Sequence, residues 1–156
     1  MTEVLGFFSS PIAISAIFSW MLAQIIKMPM GFLRSKKWDW SLLFNAGGMP
    51  SSHSSLMSAV STAIGLSEGW DSPIFILAIS LTGVVIYDAT GVRRQAGFHA
   101  ERINEILRTF VTEHKIDTAG KTELLEIIGH SPGEAAAGTL LGILIAIGVR
   151  LLMVRA

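Results

Sequence analysis

The chain has 156 residues, 51% of them hydrophobic and only 15% charged, with a mean hydropathy of +0.55. That balance argues against an ordinary soluble globule and for a single membrane-embedded domain covering residues 1–156. Twelve Lys and Arg against twelve Asp and Glu leave no basic footprint for nucleic acid, and the lack of cysteine excludes disulfides, thiolate metal sites and a cysteine nucleophile.

Met1-Thr2-Glu3 lacks the positive flank of a secretory signal, so the apolar stretch that follows reads as a retained helix, Val4 to Ile26, long enough to cross a bilayer. Lys27 to Met49 reads as a basic interfacial loop carrying Arg34, Lys36, Lys37, Trp38 and Trp40. From Ser51 to Leu66 a second helix places Ser54, Ser58, Ser61 and Gly65 on one stripe, a small-residue face suited to close helix approach. Glu68 to Pro73 forms a turn, with Ser72 as N-cap and Pro73 at the first helical position of a third helix, Ile74 to about Tyr87. These two helices sit near the lower limit of about 17 residues for a span, so a full crossing and a re-entrant pair both stay open.

Asp88 to Gly129 is a polar insertion in which Ile103, Ile106, Leu107, Phe110 and Val111 recur at helical spacing opposite Glu101, Arg102, Glu105 and Arg108, the pattern of an amphipathic surface helix. Asp117 or Thr118 can cap a second short helix bearing Leu124, Leu125, Ile127 and Ile128. A last apolar helix runs from Pro132 to about Val154, opened by a capping box, Ser131-Pro132-Gly133-Glu134, and containing Gly138-x-x-x-Gly142. The expected fold is therefore all-α, a polytopic membrane bundle of about four transmembrane helices plus an amphipathic cytoplasmic insertion. The small-residue faces also offer a route to a homodimer. Ten of the twelve basic residues fall in the 27–49 and 88–129 segments, and the positive-inside rule puts both in the cytoplasm.

Three polar clusters end apolar segments on the same face. Lys27 and Arg34 lie two turns apart if helical and could grip one anion; taken as an isolated pair they read rather as snorkelling interfacial residues. Pro50-Ser51-Ser52-His53 opens a helix whose unpaired N–H groups attract anions. There His53 could protonate a departing oxygen, or be incidental beside a serine N-cap. His130 and Glu134, four apart on one helical face, allow the carboxylate to hold Nδ1–H and leave Nε2 as a nucleophile, although Glu134 would complete the capping box regardless. No metal site is expected, because no further ligands converge on the two histidines. Asp88 is expected to form an interfacial ion pair with Arg93, Arg94 or Lys27, and His99 and His114 to be solvated.

Together these clusters resemble the signature motifs K-x6-R-P, P-S-G-H and S-R-x5-H-x3-D of the type 2 phosphatidic-acid phosphatase superfamily, which includes the vanadium haloperoxidases. Lys27 and Arg34 match the first, with Ser35 for the proline; Pro50, Ser51 and His53 match the second, with Ser52 for the glycine; His130 and Glu134 match the end of the third, with Glu for Asp. The strings Gly47 to Ser55 and Tyr87 to Arg94 make the chain look like a small divergent branch of that superfamily.

The resemblance implies a cofactor-free, metal-independent phosphatase acting on a lipid phosphate or pyrophosphate. In that scheme His130 is the nucleophile, Glu134 its orienting group, His53 the acid, and Lys27, Arg34, Ser51 and Ser52 hold the phosphoryl group. The third-motif Ser-Arg would fall at Glu123 and Leu124, so Arg93 or Arg94 is the expected substitute; otherwise the site binds a lipid phosphate without turnover. A haloperoxidase fits a small membrane chain less well. The expected setting is a bacterial plasma membrane, with the site facing the cytoplasm.

Overall fold

The computed structural model describes residues 2–36, 40, 47–114, 124–125 and 128–155, with the backbone alone at 2–5, 34, 112–114 and 155. Among these residues all regular structure is helical: α1 (Thr2–Ser9), α2 (Pro11–Ser35), α3 (Ser52–Glu68), α4 (Pro73–Tyr87), a π turn (Asp88–Val92), α5 (Arg93–His114) and α6 (Pro132–Arg155). Lys37, Trp38 and most of the short helix expected over 117–128 lie outside the described residues.

α3 is the inner helix and packs against α2, α4 and α6. Its buried residues are mostly small or hydroxylic: Ser52, Ser54, Ser55, Ser58, Ala59, Ser61, Thr62, Ala63, Ile64 and Gly65. The large apolar side chains face outward instead, among them Phe18, Trp20, Leu77, Ile79 and Leu144. This inversion of a soluble core is what a lipid solvent selects, since Leu and Phe gain nothing by leaving hydrocarbon whereas small residues let backbones approach. Three helical stretches are long and apolar enough to cross a membrane, Pro11–Leu33, Pro73–Val111 and Pro132–Val154. At 17 residues and rich in serine, α3 is not one of them; it is sheathed by the others. The protein is an integral membrane helix bundle.

Side-chain hydroxyls donate to backbone carbonyls across the helix contacts. Ser19 Oγ donates to the Ser55 carbonyl and Ser55 Oγ to the Ser19 carbonyl, each at 3.3 Å, while Thr82 Oγ1 reaches the Met57 carbonyl at 3.1 Å. Against α6 the contact is closer still. A Cβ at Gly138 would lie 2.2 Å from the Ser51 carbonyl oxygen, and one at Gly142 2.2 Å from that of Ser55. Both small-residue faces noted in the sequence are thus used within the chain, and the Gly138-x-x-x-Gly142 stripe meets α3 rather than standing open to a second copy.

Two boundaries differ from expectation. The first helix breaks at Ser10, whose extended backbone precedes Pro11 at the first helical position, and then runs on to Ser35, where Lys36 adopts a left-handed conformation and donates its N–H to the Phe32 carbonyl at 2.8 Å. Lys27 therefore belongs to a helix interior and not to a loop: the helix runs on through residues 28–33 despite Pro29 within it, so Lys27 Nζ meets Ser52 on α3. Likewise the polar insertion does not begin as a separate element: helix continues from α4 through the π turn into α5.

Candidate functional site

The site is built where the amino ends of α3 and α6 meet the π turn. α6 starts with the expected capping box: Ser131 N–H donates to Glu134 Oε2 at 3.0 Å, and Glu134 N–H to Ser131 Oγ at 3.3 Å. The same Oε2 lies 3.3 Å from His130 Nδ1, so one carboxylate oxygen serves both the cap and the histidine. The Glu134 carbonyl accepts the Ser51 N–H at 3.0 Å, which ties the start of α6 to the start of α3.

His130 is held from the other side by the π turn. Inserting a residue into a helix turns carbonyls off their usual axis, and here His130 N–H donates to the Ala89 carbonyl at 2.9 Å. Gly129 makes this approach feasible. Its φ is +89°, and a Cβ there would sit 2.5 Å from the Arg94 backbone nitrogen. The imidazole is consequently 3% exposed, and its Nε2 has no hydrogen-bond partner among the described residues. Burial, the largest influence, pushes the His130 pKa below its ordinary value; the charges of Lys27 and His53 act in the same direction, while the hydrogen bond and charge of Glu134 oppose them. A neutral ring that donates Nδ1–H to Glu134 presents the Nε2 lone pair, the form a nucleophile needs.

At the start of α3, Ser51 is the N-cap and its Oγ accepts the Ser54 N–H at 3.3 Å. Ser51 and Ser52 are both buried. Lys27, 2% exposed, donates from Nζ to Ser52 Oγ at 3.3 Å. A buried ammonium beside the positive end of a helix makes this region strongly cation-biased. Arg34 lies two turns further along α2, about 10 Å in rise, and its side chain falls outside the described residues.

A cavity of about 250 Å³ is lined by His53, Val84, Val85, Asp88, Ala89, Arg93, Gly129 and His130. It joins the two histidines and one of the two candidate arginines. Arg93 donates from Nε to Asp88 Oδ2, whereas Arg94 turns away and lies over the Phe98 ring, 5.3 Å from its centroid. Ser51, Ser52 and Lys27 stand behind the cavity rather than on its lining, with Lys27 close enough for its charge to act on His130. Among the described residues no three His, Asp or Glu side chains are grouped as a metal ion would require.

Sequence reasoning missed two features. One is the π turn with its bond to His130. The other is Asn104, 2% exposed on α5, which clamps the Leu124 backbone by donating from Nδ2 to its carbonyl at 2.9 Å and accepting its N–H at 3.0 Å. A polar Asn one turn after Ala100 and one turn before Leu107, bordering the apolar stripe of α5, was the available signal. Leu124, at the position of the third-motif arginine, has its backbone fixed and its side chain 46% exposed.

Residues 8–145 match the Divergent PAP2 family. The chain is also similar to the uncharacterized membrane protein YuiD of Bacillus subtilis (strain 168), 39% identical over 142 residues that cover 86% of this chain and 90% of the relative. No solved structure matches. With a family match over most of its length, the chain belongs to the Divergent PAP2 family.

Proposed function

We propose that the protein is a metal-independent phosphatase of lipid phosphates or pyrophosphates, working through a phosphohistidine. The observation that carries this reading is His130: a buried imidazole held at Nδ1 by Glu134, without a partner at Nε2 among the described residues, and lining the cavity that His53 and Arg93 also line. In the first step the Nε2 lone pair attacks phosphorus, the bond to the leaving oxygen breaks, and His53 gives that oxygen a proton. In the second, water attacks phosphorus, its proton passes to His53, and the P–N bond breaks to release phosphate. Lys27, Arg34 and Arg93 offset the negative charge of the phosphoryl oxygens, the larger share of catalysis in such transfers. Val84 and Val85 make part of the cavity wall apolar, which suits an amphiphile with its head at the histidines.

A second reading draws on Leu124. Because the position of the third-motif arginine carries an outward-facing leucine, the site could bind a lipid phosphate or help to move one without hydrolysing it. Phosphate release from a panel of lipid phosphates and pyrophosphates by the purified protein separates the two. Release that persists in a chelator and disappears in His130→Ala supports the enzyme; phosphate binding without release supports the carrier.

The distribution of basic residues supports a site on the cytoplasmic side, in a bacterial plasma membrane. With that topology an impermeant thiol reagent labels Ser67→Cys in intact cells and spares Lys36→Cys. The reverse pattern places the site outside.

A further inference from the structure

Among the described residues Asp88 is the only carboxylate on the cavity lining, an unexpected group in a pocket read as an anion site. Its position follows from the π turn. In a regular α-helix residues five apart point in different directions, but the wider turn brings Arg93 back over Asp88, and the Arg93 N–H reaches the Asp88 carbonyl. The side chains then pair, Arg93 Nε donating to Asp88 Oδ2. Only Nε is used. The two terminal amino groups of Arg93 make no other bond among the described residues, and both side chains keep solvent access, at 53% and 38% exposure.

We propose that Asp88 is a positioning residue: by holding Nε it fixes the plane of the Arg93 guanidinium and leaves the edge formed by the two terminal amino groups for a phosphoryl ligand. The inference rests on the phosphatase reading and explains how an arginine from the π turn could stand in for the one missing at Leu124. A guanidinium has two edges that can grip an oxyanion, and a carboxylate on the Nε side favours presenting the other. Asp88 also repels an anion, but its carboxylate is already paired with the Arg93 Nε–H, which offsets that charge. The orienting effect should therefore outweigh the repulsion. The exposure of the pair makes it a weak contributor to folding, so its substitution is a test of the site rather than of the fold.

The experiment is titration of the full-length protein in detergent with inorganic phosphate and with vanadate. Asp88→Ala should weaken both by about tenfold, close to the loss in Arg93→Ala, and the double variant should be no weaker than Arg93→Ala alone. Asp88→Asn, which keeps an oxygen acceptor for Nε–H, should recover most of the affinity, a rescue that a purely structural role would not show. Binding as tight as or tighter than the wild type in Asp88→Ala would overturn the proposal, as would additive losses in the double variant. Anion binding that follows the predicted series while the wild-type protein releases no phosphate from any lipid phosphate would sink the phosphatase reading and keep this one. A wild-type protein that binds neither anion would overturn both.

Discussion

The two sides of the cavity are built by opposite means. Where α6 crosses α3, glycines bring backbone against backbone, and the capping carboxylate that starts α6 also holds His130. Across the cavity the π turn and the start of α5 present an exposed ion pair, Asp88 with Arg93, and α5 beyond it leaves the bundle. The comparison teaches a division of labour. The group read as the nucleophile is fixed by packing that tolerates little change, while the group read as recognising charge sits on an edge where it can be exchanged at small cost to the fold.

The largest effect should come from the packed side. In Gly142→Val the new side chain meets the Ser55 carbonyl oxygen and the Ala59 nitrogen, both backbone atoms that cannot rotate away. Overpacking usually costs about 1–3 kcal/mol, and contact with backbone should put this variant at the upper end or beyond. Loss of monodisperse protein in detergent, or a large drop in its unfolding midpoint, is the expected result; wild-type stability would mean that the crossing is looser than described.

A smaller and more specific effect is expected at Glu134. Gln keeps an oxygen for the Ser131 N–H and so retains much of the cap, but it loses the charge that favours a protonated His130. Turnover should fall by about 10²-fold or more, with a stability change of about 1 kcal/mol. The pH dependence carries a defined sign. Because the folded state lowers the His130 pKa, its contribution to stability is present above the ordinary histidine value of about 6.5 and is lost as pH falls through the folded value. The acid limb of kcat/KM should therefore lie below about pH 6.5 and move lower still in Glu134→Gln, where the opposing influence of the carboxylate is gone. A limb that moves upward would contradict the role given to Glu134.

Least of all should change at Arg94. Its guanidinium lies over Phe98, so Arg94→Ala should alter phosphate release by less than about twofold. A loss comparable to that of Arg93→Ala would erase the distinction between these neighbours.

Much of the fold could be read from residue types because local chemistry decided it. Pro73 stands at a helix start, Ser72 accepts the Phe75 N–H at 3.3 Å as an N-cap, and the Ser131 to Glu134 capping box forms as spacing suggested. Lys27 misled because a cation after an apolar run looks interfacial; only the arrival of Ser52 from α3 reveals that it is buried. Arg93 and Arg94 could not be separated for a related reason. Their directions depend on the phase of the helix, and the π turn that sets it is tied to a bond from His130, 41 residues after Ala89, that no local pattern encodes. Asn104 was hidden in the same way, since its partner is the backbone of a segment 20 residues on.

The central claim is that His130 carries the phosphoryl group during turnover. Rapid acid-free quenching of the purified protein with a labelled lipid phosphate, followed by peptide mapping, tests it most directly. The account predicts a base-stable, acid-labile label on the peptide containing His130, formed no more slowly than phosphate is released and absent in His130→Ala. Sustained phosphate release with no label, or with the label on another residue, would contradict it.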